Sequence, residues 1–323
     1  MQKSSQNHFV FHSDYTDVIN SYTIVREGEL RIGEELSSNW QHEGVKYVVI
    51  GIAESIGAQA NFGRKGAEKS FDAFLQFFCN MQITANINSS KFALYGKIEA
   101  CHDFKDLKTG REWVGELDEF VYNLLTPIVQ SGKIPIVIGG GHNNAYPLIK
   151  ATSLKTKDLV VVNMDAHADC RALEGRHSGN PFSYALTESL LKKYAVFGLH
   201  KAYNNSEMIR FLHNYDTHFS YFEDYVFGIK NMINDLTKYL SELSENHYLG
   251  VELDLDSIEN FPSSAMSPIG FTISDARLYI QLTRRYRNVA YYHLTEAAVI
   301  ENKDERIVGK TLSQLVFDIL AEN

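Results

Sequence analysis

Residues 158–169 read Asp-Leu-Val-Val-Val-Asn-Met-Asp-Ala-His-Ala-Asp. The first seven form a nearly unbroken apolar run of strand length. Continuous Val and Leu, rather than an apolar–polar alternation, mark a strand covered on both faces, as in parallel sheets. The run ends on Asp165, His167 and Asp169, three side chains able to ligate metal, spaced i, i+2, i+4. Further runs of the same kind lie at Lys46–Ala53, Lys91–Ile98, Ile134–Ile138, Tyr194–Leu199, Tyr248–Asp254 and Asn288–Leu294. Segments of helical period separate them: Lys65–Phe78, Trp113–Gln130, Asn143–Thr152, Pro181–Lys193, Asp224–Leu243 and Ser274–Arg287, with Leu312–Leu320 as a terminal helix. This alternation predicts an α/β fold with a mostly parallel central sheet. Residues 1–45 are mixed and predict no clear element.

In open α/β sheets, ligands bind beyond the carboxyl ends of the strands. Four of the runs deliver chemistry there. Ile134–Ile138 is followed by Gly139-Gly140-Gly141-His142, and Asp158–Met164 by the Asp165–Asp169 segment. Tyr248–Asp254 leads into Asp254-Leu255-Asp256, and Asn288–Leu294 into Thr295-Glu296. Each motif alone has an ordinary explanation: a polar loop, a helix cap, a flexible turn or a surface carboxylate. Four strand ends carrying such residues together point to a site.

A strictly extended Asp165–Asp169 segment would hold its two carboxylates about 13 Å apart, at ~3.3 Å per residue. The chain must therefore curl after the strand, or the site must hold more than one ion. Asp254 and Asp256 are about 6–7 Å apart along a strand, which suits two ions better than one. Four carboxylates and two imidazoles make a hard O/N donor set suited to Mn2+, with other divalent ions compatible. Paired divalent ions offset the carboxylate charge and support metal-assisted hydrolysis.

Composition agrees with a small-molecule enzyme. The chain has 323 residues, 44% hydrophobic and 22% charged, as in an ordinary globular protein. That length permits one domain or two, and with no linker or repeat it is read as a single domain over 1–323. A net charge of −9 argues against nucleic-acid or anionic-membrane partners. Cys79, Cys101 and Cys170 have no paired spacing, so reduced thiols and a cytoplasmic location are expected. No apolar stretch is long enough to span a membrane, and the opening residues do not read as a secretory leader.

The motifs resemble those of the ureohydrolase family of arginases, agmatinases and formimidoylglutamases. The resemblance spans roughly residues 46–300. It rests on GGGH at 139–142, DAHAD at 165–169, LDLD at 253–256, Glu296 of HLTEAA, and the Gly-Arg-x-Gly-like segment Asn61–Ala67. It implies a three-layer α/β/α fold, a binuclear Mn2+ site and possible homo-oligomers. His142, Asp165, Asp169 and Asp254 would hold one ion, and Asp165, His167, Asp254 and Asp256 the other. It further implies attack by a metal-bridging hydroxide on an amidine or guanidine carbon, with Asp169 orienting the nucleophile. Glu296 would pair with the amidinium.

Two departures bear on the substrate and the proton path. Arginases and agmatinases resemble one another in a Ser-Gly-Asn-x-His segment whose His is the usual proton shuttle. Here Phe182 fills that position, and His177 is the weak substitute. The family's usual Gly-Gly-Asp-His is Gly-Gly-Gly-His here, and its third acidic position is Glu259 followed by Asn260. Pro262–Gly270 and Ser178–Phe182 look more like formimidoylglutamases, which cleave N-formimidoyl-L-glutamate to glutamate and formamide in histidine breakdown. A dicarboxylate substrate needs cationic partners, and Arg171 and Arg176 follow the DAHAD segment. The alternatives are an arginase-, agmatinase- or guanidino-acid-type hydrolase releasing urea, and a metal-dead regulatory homologue.

Overall fold

The computed structural model describes residues 8–322, so part of the opening segment lies outside the described residues. Nine strands form one sheet: β1 (Phe9–His12), β2 (Tyr47–Ala53), β3 (Phe92–Ala100), β4 (Ile134–Ile138), β5 (Leu159–Met164), β6 (Lys193–Leu199), β7 (His218–Tyr221), β8 (Tyr248–Asp254) and β9 (Val289–Thr295). Their order is β1-β3-β2-β4-β9-β8-β5-β6-β7. Only β1 runs antiparallel, along β3; every other pairing is parallel.

The continuous apolar runs are explained by what covers them. Val160, Val162 and Met164 point into one apolar layer with helices Ser70–Phe78, Ile273–Thr283 and Asp304–Leu320. Leu159 and Val161 point into the other, with helices Leu107–Gln130, Ala145–Ser153 and Pro181–Thr187. This is the expected three-layer α/β/α arrangement, since a sheet buried on both faces leaves no polar face to alternate. No described helix is long and apolar enough to cross a membrane.

All seven expected strands form. The differences lie at the sheet margins and in helix ends. β1 sits within the residues that predicted nothing, and β7 and helix Ser206–Asn214 were not expected. The segment read as one helix over Asp224–Leu243 is two, Phe222–Val226 and Met232–Ser241. Gly228 lies between them at φ 70° and interrupts the helical path. Both missed strands have four residues and are edge strands, too short to show a period.

Adjacent β4, β9, β8 and β5 occupy the middle of the sheet. Their carboxyl ends therefore bring 139–142, 295–296, 254–256 and 165–169 side by side, although these segments are far apart in sequence.

Candidate active site

The order of the central strands does most of the assembly. His142 Nδ1 lies 3.3 Å from Asp165 Oδ2, 2.9 Å from Asp169 Oδ2 and 3.1 Å from Asp254 Oδ2. His167 Nδ1 lies 3.2 Å from Asp256 Oδ2 and 3.7 Å from Asp165 Oδ1. Two groups result: His142, Asp165, Asp169 and Asp254, then Asp165, His167 and Asp256, with Asp165 common to both. Asp254 falls only in the first, and its Oδ1 accepts the Asp256 backbone N–H at 2.8 Å. All six expected ligating residues thus converge.

The curl demanded by the Asp165–Asp169 spacing is present. β5 ends at Met164, and Asp169 has φ 46°, in the left-handed region that non-glycine residues seldom adopt. Glu296 is similar, at φ 62° after β9. Backbone strain of this kind persists only where the surroundings over-determine it. Here Glu296 N–H donates to the Gly140 carbonyl at 3.0 Å, and Glu296 Oε1 accepts the His142 N–H at 2.7 Å. The Ser264 hydroxyl donates to Oε2.

The electrostatics fit a site made for cations. Burial and the neighbouring Asp165 push the Asp169 carboxyl up to about 6. Burial, Asp256 and Asp165 raise Asp254 well above the usual carboxylate range. Burial pushes Glu296 up to about 7, against the lowering effect of its Ser264 and His142 hydrogen bonds. Asp165 is held down to about 2 because His142 and His167 outweigh its burial. Crowded buried carboxylates either take up protons or find positive charge. His142 Nδ1 and Asp256 Oδ1 are buried without a hydrogen-bond partner, which leaves lone pairs for an ion. The residues therefore fit divalent metal.

A cleft opens beside this cluster, lined by His167, Asp169, Asp254, Asp256 and Glu296 together with Asn61, Phe62, Arg171, Tyr203, Met208 and Ser264. Arg171 is the single Lys or Arg on that lining, and it is half exposed. Arg176, expected beside the substrate, is elsewhere. It is buried, and Nε donates to Asp118 at 2.8 Å. Its other nitrogens donate to Asn180 Oδ1 at 2.7 Å and the Asn143 carbonyl at 3.0 Å. Tyr146 and Tyr184 cover its guanidinium. Its donors are spent on holding the loop against the His142 segment. His177 is also enclosed: Nδ1 accepts the Gly179 N–H, and Nε2 lies 3.2 Å from Glu174. It does not line the cleft. Phe182 stands edge-on to His142, with ring centroids 5.2 Å apart.

Several residues that build the site were not singled out from sequence. Buried Glu54 accepts the Gly57 and Gly141 backbone N–H groups and an Asn144 side-chain N–H, fixing the glycine loop that carries His142. Asn163 donates to Asp165 Oδ2 at 2.9 Å. Glu252 and His293 lie behind His142. Each of Asn163, Glu252 and His293 is a lone polar residue inside an apolar strand, two positions before a strand-end residue. That spacing puts each on the same strand face as the strand-end residue that follows it, and a lone polar residue in such a run was the available signal.

The chain belongs to the Arginase family, whose sequence profile matches residues 45–321. It is accordingly a hydrolase acting on amidine or guanidine C–N bonds, with a small-molecule substrate. Among particular relatives, it is 26% identical over 310 residues to a formimidoylglutamase of Streptococcus pyogenes serotype M12, covering 89% of this chain and 88% of that one. A formimidoylglutamase of Macrococcus caseolyticus is 25% identical over 270 residues, covering 81% and 79%. A crystal structure of Trypanosoma cruzi formiminoglutamase with Mn2+ superposes with TM-score 0.70 at 23% identity, covering 91% of this chain and 100% of that one. The Bacillus subtilis formimidoylglutamase gives TM-score 0.75 at 16% identity, covering 92% and 93%. These structural matches establish the shared fold.

Proposed function

We propose that the protein, acting as one catalytic unit, hydrolyses N-formimidoyl-L-glutamate to L-glutamate and formamide. The observation that carries this reading is Arg171, the one Lys or Arg on a cleft whose other charged side chains are mostly carboxylates. A fork of guanidinium donors suits a substrate carboxylate. The formimidoylglutamase relatives, similar along most of both chains, support the same choice.

In this reading His142, Asp165, Asp169 and Asp254 hold one divalent ion, and Asp165, His167 and Asp256 hold the other, with Mn2+ the preferred metal. When bound, the pair supplies an activated water and charge neutralisation at the reacting carbon. The chain's own side chains do the rest. Glu296 binds the amidinium through charge-assisted hydrogen bonds, already oriented by Ser264 and the His142 N–H. Asp169 orients the attacking water. Arg171 holds the glutamate end. Water adds to the formimidoyl carbon, the bond to the glutamate nitrogen breaks, and a proton passes to the departing amine. Phe182 keeps water from the buried flank of His142. The three cysteines are unpaired, in keeping with a cytoplasmic setting.

The test is to incubate Mn2+-loaded protein with formimidoylglutamate, arginine, agmatine and guanidinobutyrate, and to measure formamide and urea. Formamide equimolar with glutamate is expected. Urea from arginine, with nothing from formimidoylglutamate, would refute the substrate while leaving the hydrolase class in place.

A further inference from the structure

Two loops wall part of the cleft. The loop after β2 brings Asn61 and Phe62, and the loop after β5 brings Arg171 and Gly179. They touch each other, with Ser178 N–H donating to the Gly57 carbonyl at 3.1 Å. Asn61 and Arg171 meet over Gly179: a Cβ at Gly179 would stand 2.7 Å from Asn61 Nδ2 and 2.9 Å from Arg171 Cδ. The missing side chain is the space in which the Arg171 stem lies.

Arg171 has two directions open to it. It lines the cleft, and it also lines a second hollow of about 310 Å³ whose wall includes Glu207. A long cationic side chain with that choice loses rotamer freedom when it binds an anion, and the loss weakens binding unless the side chain is already held. Glu174 supplies a hold. Its Oε1 lies 3.5 Å from Arg171 Nε, which leaves the terminal nitrogens as a fork for another carboxylate. Both side chains are more than a third exposed, and such a pair alone is worth little.

What fixes Glu174 is Arg111, near the start of helix Leu107–Gln130. Arg111 Nη1 donates to the Glu174 carbonyl at 2.8 Å, and Nη2 to Glu174 Oε1 at 3.4 Å. One guanidinium thus holds both the main chain and the carboxylate of Glu174, with a planar fork that lysine cannot reproduce. Arg111 Nε donates to the Ala60 carbonyl at 3.4 Å, in the other loop, one residue before Asn61. Gly175, at φ 102°, gives Arg111 room, since a Cβ there would stand 3.0 Å from Arg111 Cδ. Arg111 itself is off the cleft lining and borders a separate outer hollow. His177 Nε2 adds a further contact to Glu174 Oε1, at 3.2 Å.

We propose that Arg111, through Glu174 and the Ala60 carbonyl, is a positioning residue that directs Arg171 into the cleft and thereby sets the preference for a substrate with a carboxylate tail. This rests on the reading of Arg171 given under the proposed function. Arg111 acts on the tail end of the substrate and leaves the amidine end to Glu296.

Steady-state kinetics of the Mn2+-loaded full-length protein on formimidoylglutamate test this, with L-glutamate and formamidine as inhibitors that report the two ends separately. Arg111→Lys keeps the charge and most of the stem and loses the fork. It should raise KM and the Ki of L-glutamate together by about 3–10-fold, with kcat and the Ki of formamidine unchanged. In an Arg171→Ala background, Arg111→Lys should add nothing, because residues that act through one another are not additive. Glu174→Gln should give the same pattern by weakening the same hold, and it serves if Arg111→Lys does not fold. An unchanged KM in a folded Arg111→Lys or Glu174→Gln protein overturns the inference alone. So does an equal rise in the Ki of formamidine, which would mark a general loosening of the site, or a full further rise in KM on top of Arg171→Ala. A wild-type protein that hydrolyses no formimidoylglutamate, or an Arg171→Ala protein with wild-type KM, overturns the carboxylate-tail reading as well.

Discussion

The two halves of the site share Asp165 but are built on opposite plans. The His142 half is enclosed. His142 is fully buried, Phe182 stands against its ring, and the strand row of Asn163, Glu252 and His293 lies beneath it. Arg176 ties the neighbouring loop to Asn143, the residue after His142. The His167 half is open. His167 is partly exposed, leans on Tyr203, and shares its cleft with Arg171. Enclosure gives fixed geometry and high local field, because charges in a low-dielectric setting act strongly on one another. Openness gives a substrate room to enter. The division suggests that chemistry is fixed from the buried side and substrate is chosen from the open one.

The largest expected effect tests that division at the two histidines. His142→Ala should lower kcat by roughly 10³-fold, since an ion's charge stabilisation is worth several kcal/mol. His167→Ala should lose activity at low Mn2+ and regain much of it as Mn2+ is raised, because mass action can refill a position on the open side that has lost one side chain. Equal rescue of both variants would erase the distinction between the halves. Next come the two arginines. Arg176→Ala should destabilise the fold by about 3 kcal/mol, at the lower end for breaking a buried pair. Asp118 already sits at about 6 through burial, so it can take a proton once Arg176 is gone. Arg171→Ala should raise KM for a dicarboxylate substrate about 10–100-fold, with kcat and Tm unchanged, as expected for loss of one charge-assisted contact. A Tm loss at Arg171 without a KM change would place it in the framework instead.

How far this contrast could be read from sequence follows from what each half is made of. The strand-end motifs announce themselves because parallel strands are apolar throughout, so His142, Asp165, Asp254 and Glu296 stand out where the runs stop. Glu252 and His293 carried the same kind of signal two residues earlier, but a single polar residue inside a strand does not say what lies on the next strand. Only the order β9-β8-β5 makes them neighbours. Arg171 and Arg176 are five residues apart in one polar segment, with the same charge and similar surroundings in sequence. What separates them is Asp118, from the distant helix Leu107–Gln130, which claims Arg176 and leaves Arg171 to the cleft. β1 and β7 were hidden for a simpler reason: four residues on a sheet edge need bury little.

The smallest effect concerns His177, on the enclosed side of the same segment. Burial and the nearby Arg111 press its imidazole down to about 4, although Glu174 pulls the other way. The ordinary value is about 6.5. The unfolded chain therefore takes up a proton that the folded one refuses as acid is added. The stability this provides is complete above about pH 6.5 and is lost as the pH falls towards 4. His200 is lowered as well and contributes to the same acid limb, so the difference between proteins is the readout. In His177→Asn, whose side-chain oxygen can still accept the Gly179 N–H, the fall in Tm from pH 7 to pH 4.5 should be shallower than in the wild type. Activity at neutral pH should stay within a few-fold of wild type, because His177 lies outside the cleft. Loss of neutral-pH activity with the Tm profile unchanged would instead make His177 part of the proton path, and the enclosed side would then do more than hold the metal in place.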